Sequence, residues 1–173
     1  KSICNTLSFE RKDQVILKNT GFIPEGHVVQ EYTDVYGDKC TAVSGITLPA
    51  FSVSALKPGK AKEADCPFTV DGNYISTPFA DVALEKGRIV SYKTKRGLEV
   101  VADADVPLNT FYFGEDIPNI WDNWDIDYDQ MQKMHPTLEC ISSEVVSIGA
   151  LQLRVRVKYR FGESLLAQDI VFY

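Results

Sequence analysis

One stretch near the end of the chain, LQLRVRVKYRF, alternates between apolar and polar side chains at every position. The apolar positions are Leu151, Leu153, Val155, Val157, Tyr159 and Phe161, and the polar positions between them are Gln152, Arg154, Arg156, Lys158 and Arg160. Because successive side chains of a β-strand point to opposite faces, this pattern predicts a strand with one buried face and one basic face in water. The FGES turn that follows predicts an antiparallel partner in LLAQDIVFY.

Three further hairpins are predicted from turn residues between β-rich arms, at Gly37-Asp38, Asp71-Gly72 and Lys86-Gly87. The stretch ITLPAFSVSALKP predicts another strand, with Phe51, Val53 and Ala55 alternating inward. No segment carries a convincing helical stripe, and DYDQMQKM is long enough for one helical turn at most. The chain is therefore predicted to be all-β, an antiparallel β-sandwich.

The polar stretch LKPGKAKEAD contains Pro58 and Gly59 and shows no periodicity, which is typical of a linker. It divides the chain into a first unit, residues 1–58, a linker, residues 59–65, and a second unit, residues 66–173.

A hydrophobic content of 45% is that of a globular protein, and no apolar run approaches the roughly 20 residues that span a bilayer. The four cysteines have no paired spacing, so we expect free and mostly buried thiols and, with no visible signal peptide, a cytoplasmic location.

Acidic residues are concentrated between Gly97 and Gln132, where nine carboxylates occur without a single lysine or arginine. Within this region the stretch IPNIWDNWDIDYDQM, residues 117–131 and hereafter the WD segment, holds both tryptophans of the chain. Such a charge pattern argues against a nucleic-acid partner, since phosphate contacts require basic residues. It suits a cation or a polyhydroxy ligand.

The residues of the WD segment leave several interpretations open. If Trp124 to Asp129 is extended, three carboxylates share one face and must meet water, a cation, hydroxyl donors or a basic surface. An EF-hand loop starting at Asp125 fails, because its sixth and twelfth positions hold Gln130 and Pro136. An irregular calcium site, a catalytic carboxylate pair and a solvated loop with tryptophan anchors all remain. Other catalytic motifs are absent, and His27 and His135 have no second ligand at a metal spacing.

Several blocks resemble glycoside hydrolase family 38 α-mannosidases, in the β-rich region after the catalytic domain. PLNTFYFGEDIPNIWDNWDID is similar to the family's LN-F---ED-P--WD-WD pattern. NTLSFERKDQVIL resembles its NPLSWER strand, with Thr6 and Phe9 in place of proline and tryptophan. NYISTPFADVALEKGRIVSYKTKRGLEV and RFGESLLAQDIVFY resemble later blocks, with Thr94 where aspartate is usual. The likeness extends along nearly the whole chain.

The resemblance implies a small β-domain followed by the first part of a galactose-mutarotase-like supersandwich. In such enzymes the zinc ligands and catalytic carboxylates lie in an N-terminal α/β domain, so we expect no catalytic residue, metal or cofactor in this chain, and zinc in that domain. The resemblance places Trp121, Asp122, Trp124 and Asp125 at the wall of the substrate cleft or at the domain interface. Asp127, Tyr128 and Asp129 extend this candidate set, and Glu115 and Asp116 are expected to orient the loop.

The resulting expectation is a non-catalytic segment of a retaining α-mannosidase, inactive alone. Its partners would be the catalytic domain of the same polypeptide and a mannose-containing glycan, without nucleic acid or membrane. Because both ends look cut, unpaired sheet edges make edge-to-edge dimers a hazard. Two alternatives stand beside this one: a free-standing carbohydrate-binding module that stacks sugar on Trp121, Trp124 and Tyr128, and a calcium-stabilised β interaction domain.

Overall fold

The computed structural model describes residues 1–115, 128–136 and 138–173, which form twelve strands and one short helix. In the first unit the strands are β1 (Ser2–Asn5), β2 (Arg11–Lys18), β3 (Val29–Thr33), β4 (Lys39–Leu48) and β5 (Ser52–Ala55). In the second unit they are β6 (Thr69–Asp71), β7 (Tyr74–Ser76), β8 (Ala80–Glu85), β9 (Arg88–Thr94), β10 (Glu139–Ile148), β11 (Leu153–Phe161) and β12 (Ser164–Phe172), with helix α1 (Gln130–Lys133) before β10. All pairs of these strands are antiparallel.

The first unit consists of a three-stranded sheet, in the order β2-β4-β3, and the two-stranded pair β1-β5. Strand β4 supplies most of its core through Val43, Ile46 and Leu48, and Leu56 completes the cluster just after β5. Alternation places Ile46 and Leu48 on one face. A bulge at Ser44 and Gly45, where the register shifts and Gly45 has a φ of 78°, brings Val43 to the same face.

The second unit is a sandwich of two sheets, β6-β7-β8-β9 and β10-β11-β12. Its core joins the inward residues of β8 to those of β11, whose Leu153, Val155, Val157 and Tyr159 are at most 3% exposed. The alternating stretch therefore forms the predicted strand with the predicted buried face. The prediction of an all-β antiparallel sandwich is confirmed, as is the single helical turn in DYDQMQKM.

The predicted hairpin turns are present, and positive φ angles explain their composition. Gly37, Gly72 and Gly162 lie in the left-handed region at the tips of three hairpins. Between β8 and β9, Lys86 and Gly87 have φ angles of 51° and 78°, as a two-residue hairpin of the primed type requires. Turn chemistry thus sets the strand pairing along much of the chain.

The predicted inward face of β5 is wrong. Phe51 and Val53 are 74% and 71% exposed, and Ala55 is also exposed. Leu56 enters the core cluster, and in extended chain the residues at odd spacing from it must point the other way. The apolar residues therefore face outward, while Ser52 and Ser54 are half-buried.

The predicted wet face of β11 is wrong over its first half, where strand β3 of the first unit covers it. Gln30 of β3 places its side-chain amide against the chain between β10 and β11. Its Nε2 donates to the Gln152 carbonyl at 2.8 Å and to Ser147 Oγ at 2.9 Å, and its Oε1 accepts from the backbone N–H groups of Leu151 and Gln152 at 3.0 Å each. One buried glutamine thus meets four partners of the second unit.

The two arginines that follow are neutralised by strand β12. Asp169, whose side chain is 6% exposed, accepts from Arg156 Nε at 2.8 Å and from Arg154 Nη1 at 3.3 Å. The Arg154 guanidinium also stacks 3.8 Å from the centre of the Tyr32 ring, and Arg156 donates to the Thr33 carbonyl at 2.9 Å. Buried cations of this kind are tolerated because a carboxylate and an aromatic face replace their water. Lys158 and Arg160, further along β11, are exposed as predicted.

The stretch predicted to be a linker contains no strand, but it is hydrogen-bonded along residues 23–28 of the first unit. The N–H of Glu25 donates to the Lys57 carbonyl at 2.9 Å, and the N–H of Lys62 donates to the His27 carbonyl at 2.8 Å. The division into domains stays a prediction.

The four cysteines are free, as expected, but Cys40 alone is buried. In the described ranges, no helix has the length and apolar character needed to cross a membrane.

Candidate functional site

The WD segment and its flanks carry all the residues that the sequence marked as candidates. Three of them lie in the described part of the chain, namely Glu115, Tyr128 and Asp129. The other six, Asp116, Trp121, Asp122, Trp124, Asp125 and Asp127, lie outside the described residues, so their predicted roles stay predictions. The structure does show the base from which the segment starts and to which it returns.

The two flanks of the WD segment are joined by backbone hydrogen bonds. Phe113 and His135 exchange N–H to carbonyl bonds of 2.8 Å in both directions, as an antiparallel bridge. Gly114 lies against the last turn of α1, where an added Cβ would come within 3.1 Å of the Lys133 carbonyl oxygen and of Met134 Cγ. This close approach explains why a glycine stands at that position.

The joined flanks rest on the far end of β11. The rings of Phe113 and Phe161 lie 3.8 Å apart between centroids, at an angle of 34°. Phe161 is the last apolar residue of the alternating strand, so the core face of β11 ends at the base of the WD segment. Aromatic pairs of this kind add stability beyond the area that they bury.

The described candidates lie on the surface at this base. Tyr128 is 96% exposed, so its ring is open to solvent. Asp129 lies at the start of α1 and pairs with Lys133 at 2.8 Å, and this ammonium lowers the pKa of the Asp129 carboxyl. Glu115 is exposed, and its backbone carbonyl accepts from Gln130 Nε2 at 3.2 Å. Asp129 and Glu115 thus make the local contacts of a folded base, while Tyr128 alone presents an exposed ring.

Asn109, which the sequence analysis did not single out, fixes the chain that leads into this base. Its backbone is left-handed, with a φ of 59°. Its Nδ2 donates to the Gly87 carbonyl at 2.8 Å and to Gln168 Oε1 at 2.9 Å, and its Oδ1 accepts from Gln168 Nε2 at 2.8 Å. The one signal that could have found it is its place in PLNTF, the first block of the motif.

Beside Asn109 lies an open cavity of about 450 Å³, between the β8–β9 turn and β10. Its wall combines charged, polar and apolar side chains, among them Lys86, Arg88, Thr110, Phe111, Leu138 and Glu139. Tyr159 and Cys140 form part of its floor. Burial raises the pKa of the Tyr159 phenol to about 12, and burial likewise raises the pKa of the Cys140 thiol. Both groups are therefore neutral at physiological pH.

No group of three histidine, cysteine, aspartate or glutamate side chains that could hold a metal ion occurs in residues 1–115, 128–136 and 138–173. Zinc in proteins needs three or four such ligands converging on one point. The described residues therefore do not form a zinc site, and we assign no catalytic step to a metal here.

Comparison with known proteins identifies a family. The model of the family described as "Glycosyl hydrolases family 38 C-terminal domain" matches residues 75–173, which is more than half of the chain. A search of curated proteins and a search of solved structures returned no match. The matched range contains the sandwich strands β8 to β12, Asn109, the cavity and the whole WD segment. The resemblance read from the sequence is thereby confirmed, and the chain belongs to glycosyl hydrolase family 38.

Proposed function

We propose that this chain is a non-catalytic β-sandwich segment of a retaining α-mannosidase, which packs on a zinc-dependent catalytic domain and helps to wall the mannoside cleft. To residues 66–173 we assign the first part of a galactose-mutarotase-like supersandwich. The zinc and the catalytic carboxylates would belong to the catalytic domain. The residues of this chain would supply shape and binding contacts, and the chain alone would be inactive.

The observation that carries the proposal is the fixed base of the WD segment. Backbone hydrogen bonds between Phe113 and His135 join its two flanks, and the Phe113–Phe161 ring contact sets them on the end of the sandwich. A binding loop needs a rigid support, because ordering a flexible loop on binding costs free energy and lowers the affinity. Trp121, Asp122, Trp124 and Asp125 are proposed to extend from this base to the cleft. There an aromatic face and carboxylate acceptors suit a hydroxyl-rich sugar.

Activity of the complete polypeptide encoded by this reading frame tests the proposal. It should hydrolyse an aryl α-mannoside and lose that activity on removal of zinc by a chelator. Asp122→Asn and Asp125→Asn are expected to lower kcat/KM by at least tenfold without changing the melting temperature. Asp105→Asn is the matched control, because Asp105 lies in the same acidic region and its side chain makes no hydrogen bond or ion pair in the described part of the chain.

Different failures would have different meanings. A complete protein that hydrolyses no α-mannoside would refute the assigned activity. Full activity of folded Asp122→Asn and Asp125→Asn proteins would refute the cleft role and leave the segment as a contact between domains. Equal losses in the Asp105→Asn control would point to the total charge of the region and not to these two carboxylates.

The exposed ring of Tyr128 is the observation that favours the alternative function, a free-standing carbohydrate-binding module. Both tryptophans of the chain lie in the WD segment, so its intrinsic tryptophan fluorescence reports on this segment alone. Saturable quenching by methyl α-mannoside, abolished in Trp121→Ala and Trp124→Ala, would support the module. A calcium-dependent rise in melting temperature would instead support the calcium-stabilised domain, since a ligand that binds only the folded state stabilises it.

A further inference from the structure

We propose that the cavity between the β8–β9 turn and β10 binds a small acidic sugar, that is, a hexose carrying a phosphate or a carboxylate group. The proposal rests on the side chains of the cavity and does not depend on the role of the WD segment. The cavity volume of about 450 Å³ lies in the range of pockets that bind small molecules, about 300–1,000 Å³.

The neutral donors of the cavity wall are already engaged within the protein. Both hydrogens of Asn109 Nδ2 are used, one by the Gly87 carbonyl and one by Gln168. The Thr110 hydroxyl donates to the Pro107 carbonyl at 2.8 Å, and the Tyr159 hydroxyl donates to the Gly87 carbonyl at 3.3 Å. These groups shape the wall, and they leave charged side chains to recognise a ligand.

The donors that remain are two cations. Lys86 and Arg88 stand at either side of Gly87, and neither forms an ion pair with any residue that the structure describes. In a chain with a net charge of -6, two such cations facing one concavity form a local positive site. Cationic donors make their strongest hydrogen bonds to phosphate and carboxylate oxygens, so the preferred ligand carries a negative charge.

Other side chains of the cavity lining, Glu139, Phe111 and Leu138, suit hydroxyl donors and a ring. The Glu139 carboxylate accepts no hydrogen bond from a described residue, and a carboxylate can only accept. Phe111 and Leu138 add apolar surface beside it. A plain anion such as inorganic phosphate would leave Glu139, Phe111 and Leu138 unused, and a neutral sugar would leave Lys86 and Arg88 unused. A hexose with one acidic group satisfies both.

Protection of Cys140 from alkylation measures binding directly. Cys140 lines the cavity, whereas Cys4 and Cys66 are exposed and lie outside its wall, so they serve as controls within the same molecule. Since burial raises the pKa of the Cys140 thiol, labelling with iodoacetamide is done at about pH 9, where more thiolate is present. The extent at each cysteine is read by mass spectrometry at constant ionic strength.

The probes are glucose 6-phosphate, glucuronate, inorganic phosphate and glucose. At least one acidic sugar is expected to slow alkylation of Cys140 saturably by fivefold or more, with Cys4 and Cys66 unchanged. Comparison of the two acidic sugars identifies phosphate or carboxylate as the preferred group. Equal protection by glucose would overturn the requirement for charge, equal protection by inorganic phosphate would overturn the requirement for a sugar, and no protection would overturn the site.

Variants separate binding from folding. Lys86 has a φ of 51°, so Lys86→Asn removes the charge while keeping a residue that suits this turn before Gly87. Combined with Arg88→Gln, it is expected to weaken the apparent affinity by at least tenfold at an unchanged melting temperature. Lys158→Gln, an exposed lysine outside the cavity wall, is the control and should bind as the unmodified chain does. Unchanged protection in the double variant would refute the role of the two cations.

Discussion

A methyl group added at Gly87 would clash with the packed core of the second unit. Gly87 is buried in the β8–β9 turn with a φ of 78°. A Cβ at this position would lie 2.5 Å from Val157 Cγ1 and 3.0 Å from Tyr159 Cζ, and it would meet Tyr159 Oη more closely still. These contacts are far inside ordinary van der Waals separation, and both neighbours belong to the packed core face of β11.

The expected cost of Gly87→Ala has two parts. The left-handed backbone costs a residue with a Cβ about 1–2 kcal/mol. Displacing core side chains to admit an extra methyl group costs about 1–3 kcal/mol more. We therefore expect Gly87→Ala to lower the free energy of unfolding by about 2–5 kcal/mol, measured by urea denaturation.

Comparison of Gly87→Ala with Gly72→Ala isolates the cost of displacing core side chains. Gly72 also sits in a hairpin turn with a positive φ, 56°, but a Cβ there would meet nothing within 4 Å. It should cost about 1–2 kcal/mol from the backbone alone. The gain from a stiffer unfolded chain is common to both substitutions, so it cancels in the difference. The two variants should thus differ by about 1–3 kcal/mol, or roughly 2–12 °C in melting temperature.

A double-mutant cycle identifies the atoms responsible. Tyr159→Phe removes the hydroxyl oxygen that the new Cβ would approach most closely. Gly87→Ala should therefore cost less in the Tyr159→Phe background than alone, by an interaction energy of about 0.5 kcal/mol or more. Equal losses for Gly87→Ala and Gly72→Ala, with no coupling to Tyr159, would refute the argument from close approach.

Two further predictions concern ionic contacts. Asp169→Asn should lower the free energy of unfolding by about 3–5 kcal/mol, because it leaves the buried Arg154 and the partly buried Arg156 without their carboxylate; a urea-derived loss below about 1 kcal/mol would contradict this. At Asp34, hydrogen bonds from Lys18 and from two backbone N–H groups lower the pKa from 3.8 to about 2. A depressed pKa means that the carboxylate stabilises the fold fully above about pH 4 and loses this effect as pH falls towards about 2. The urea midpoint of Asp34→Asn should accordingly fall less steeply over that interval, and an unchanged slope would contradict the assignment.

Local patterns predicted the hairpins of the second unit well because each hairpin pairs strands that are neighbours in sequence. Alternation placed β11 correctly, and its turn fixed β12 beside it, with Arg156 directly opposite Asp169. The positive φ angles at Lys86 and Gly87 likewise follow from a two-residue turn. In the candidate site, the helical turn of residues 130–133 was predictable, and the bridge between Phe113 and His135 was not, since nothing local specifies which residues meet.

The errors came from contacts that a linear pattern does not contain. Gln30 meets Gln152 across 122 positions, and this contact buries polar residues that the alternation of β11 assigned to water. The outward face of β5 depends on Leu56 joining a core built mainly by β4. Asn109 was missed for the same reason, because its partners, Gly87 and Gln168, lie 22 and 59 positions away.

Strand β11 relates these separate features to one another. Around its start, Gln152, Arg154 and Arg156 contact the first unit. Towards its end, Tyr159 packs under Gly87 and lines the cavity, and Phe161 supports the base of the WD segment. With a rise of about 3.3 Å per residue, Arg156 and Phe161 lie roughly 17 Å apart along the strand. The contacts of Gln152, Arg154 and Arg156 with the first unit are thus separate from the ring contact that supports the WD base. The core face between them, closed to water from Leu153 to Tyr159, links the two through the packing of one strand.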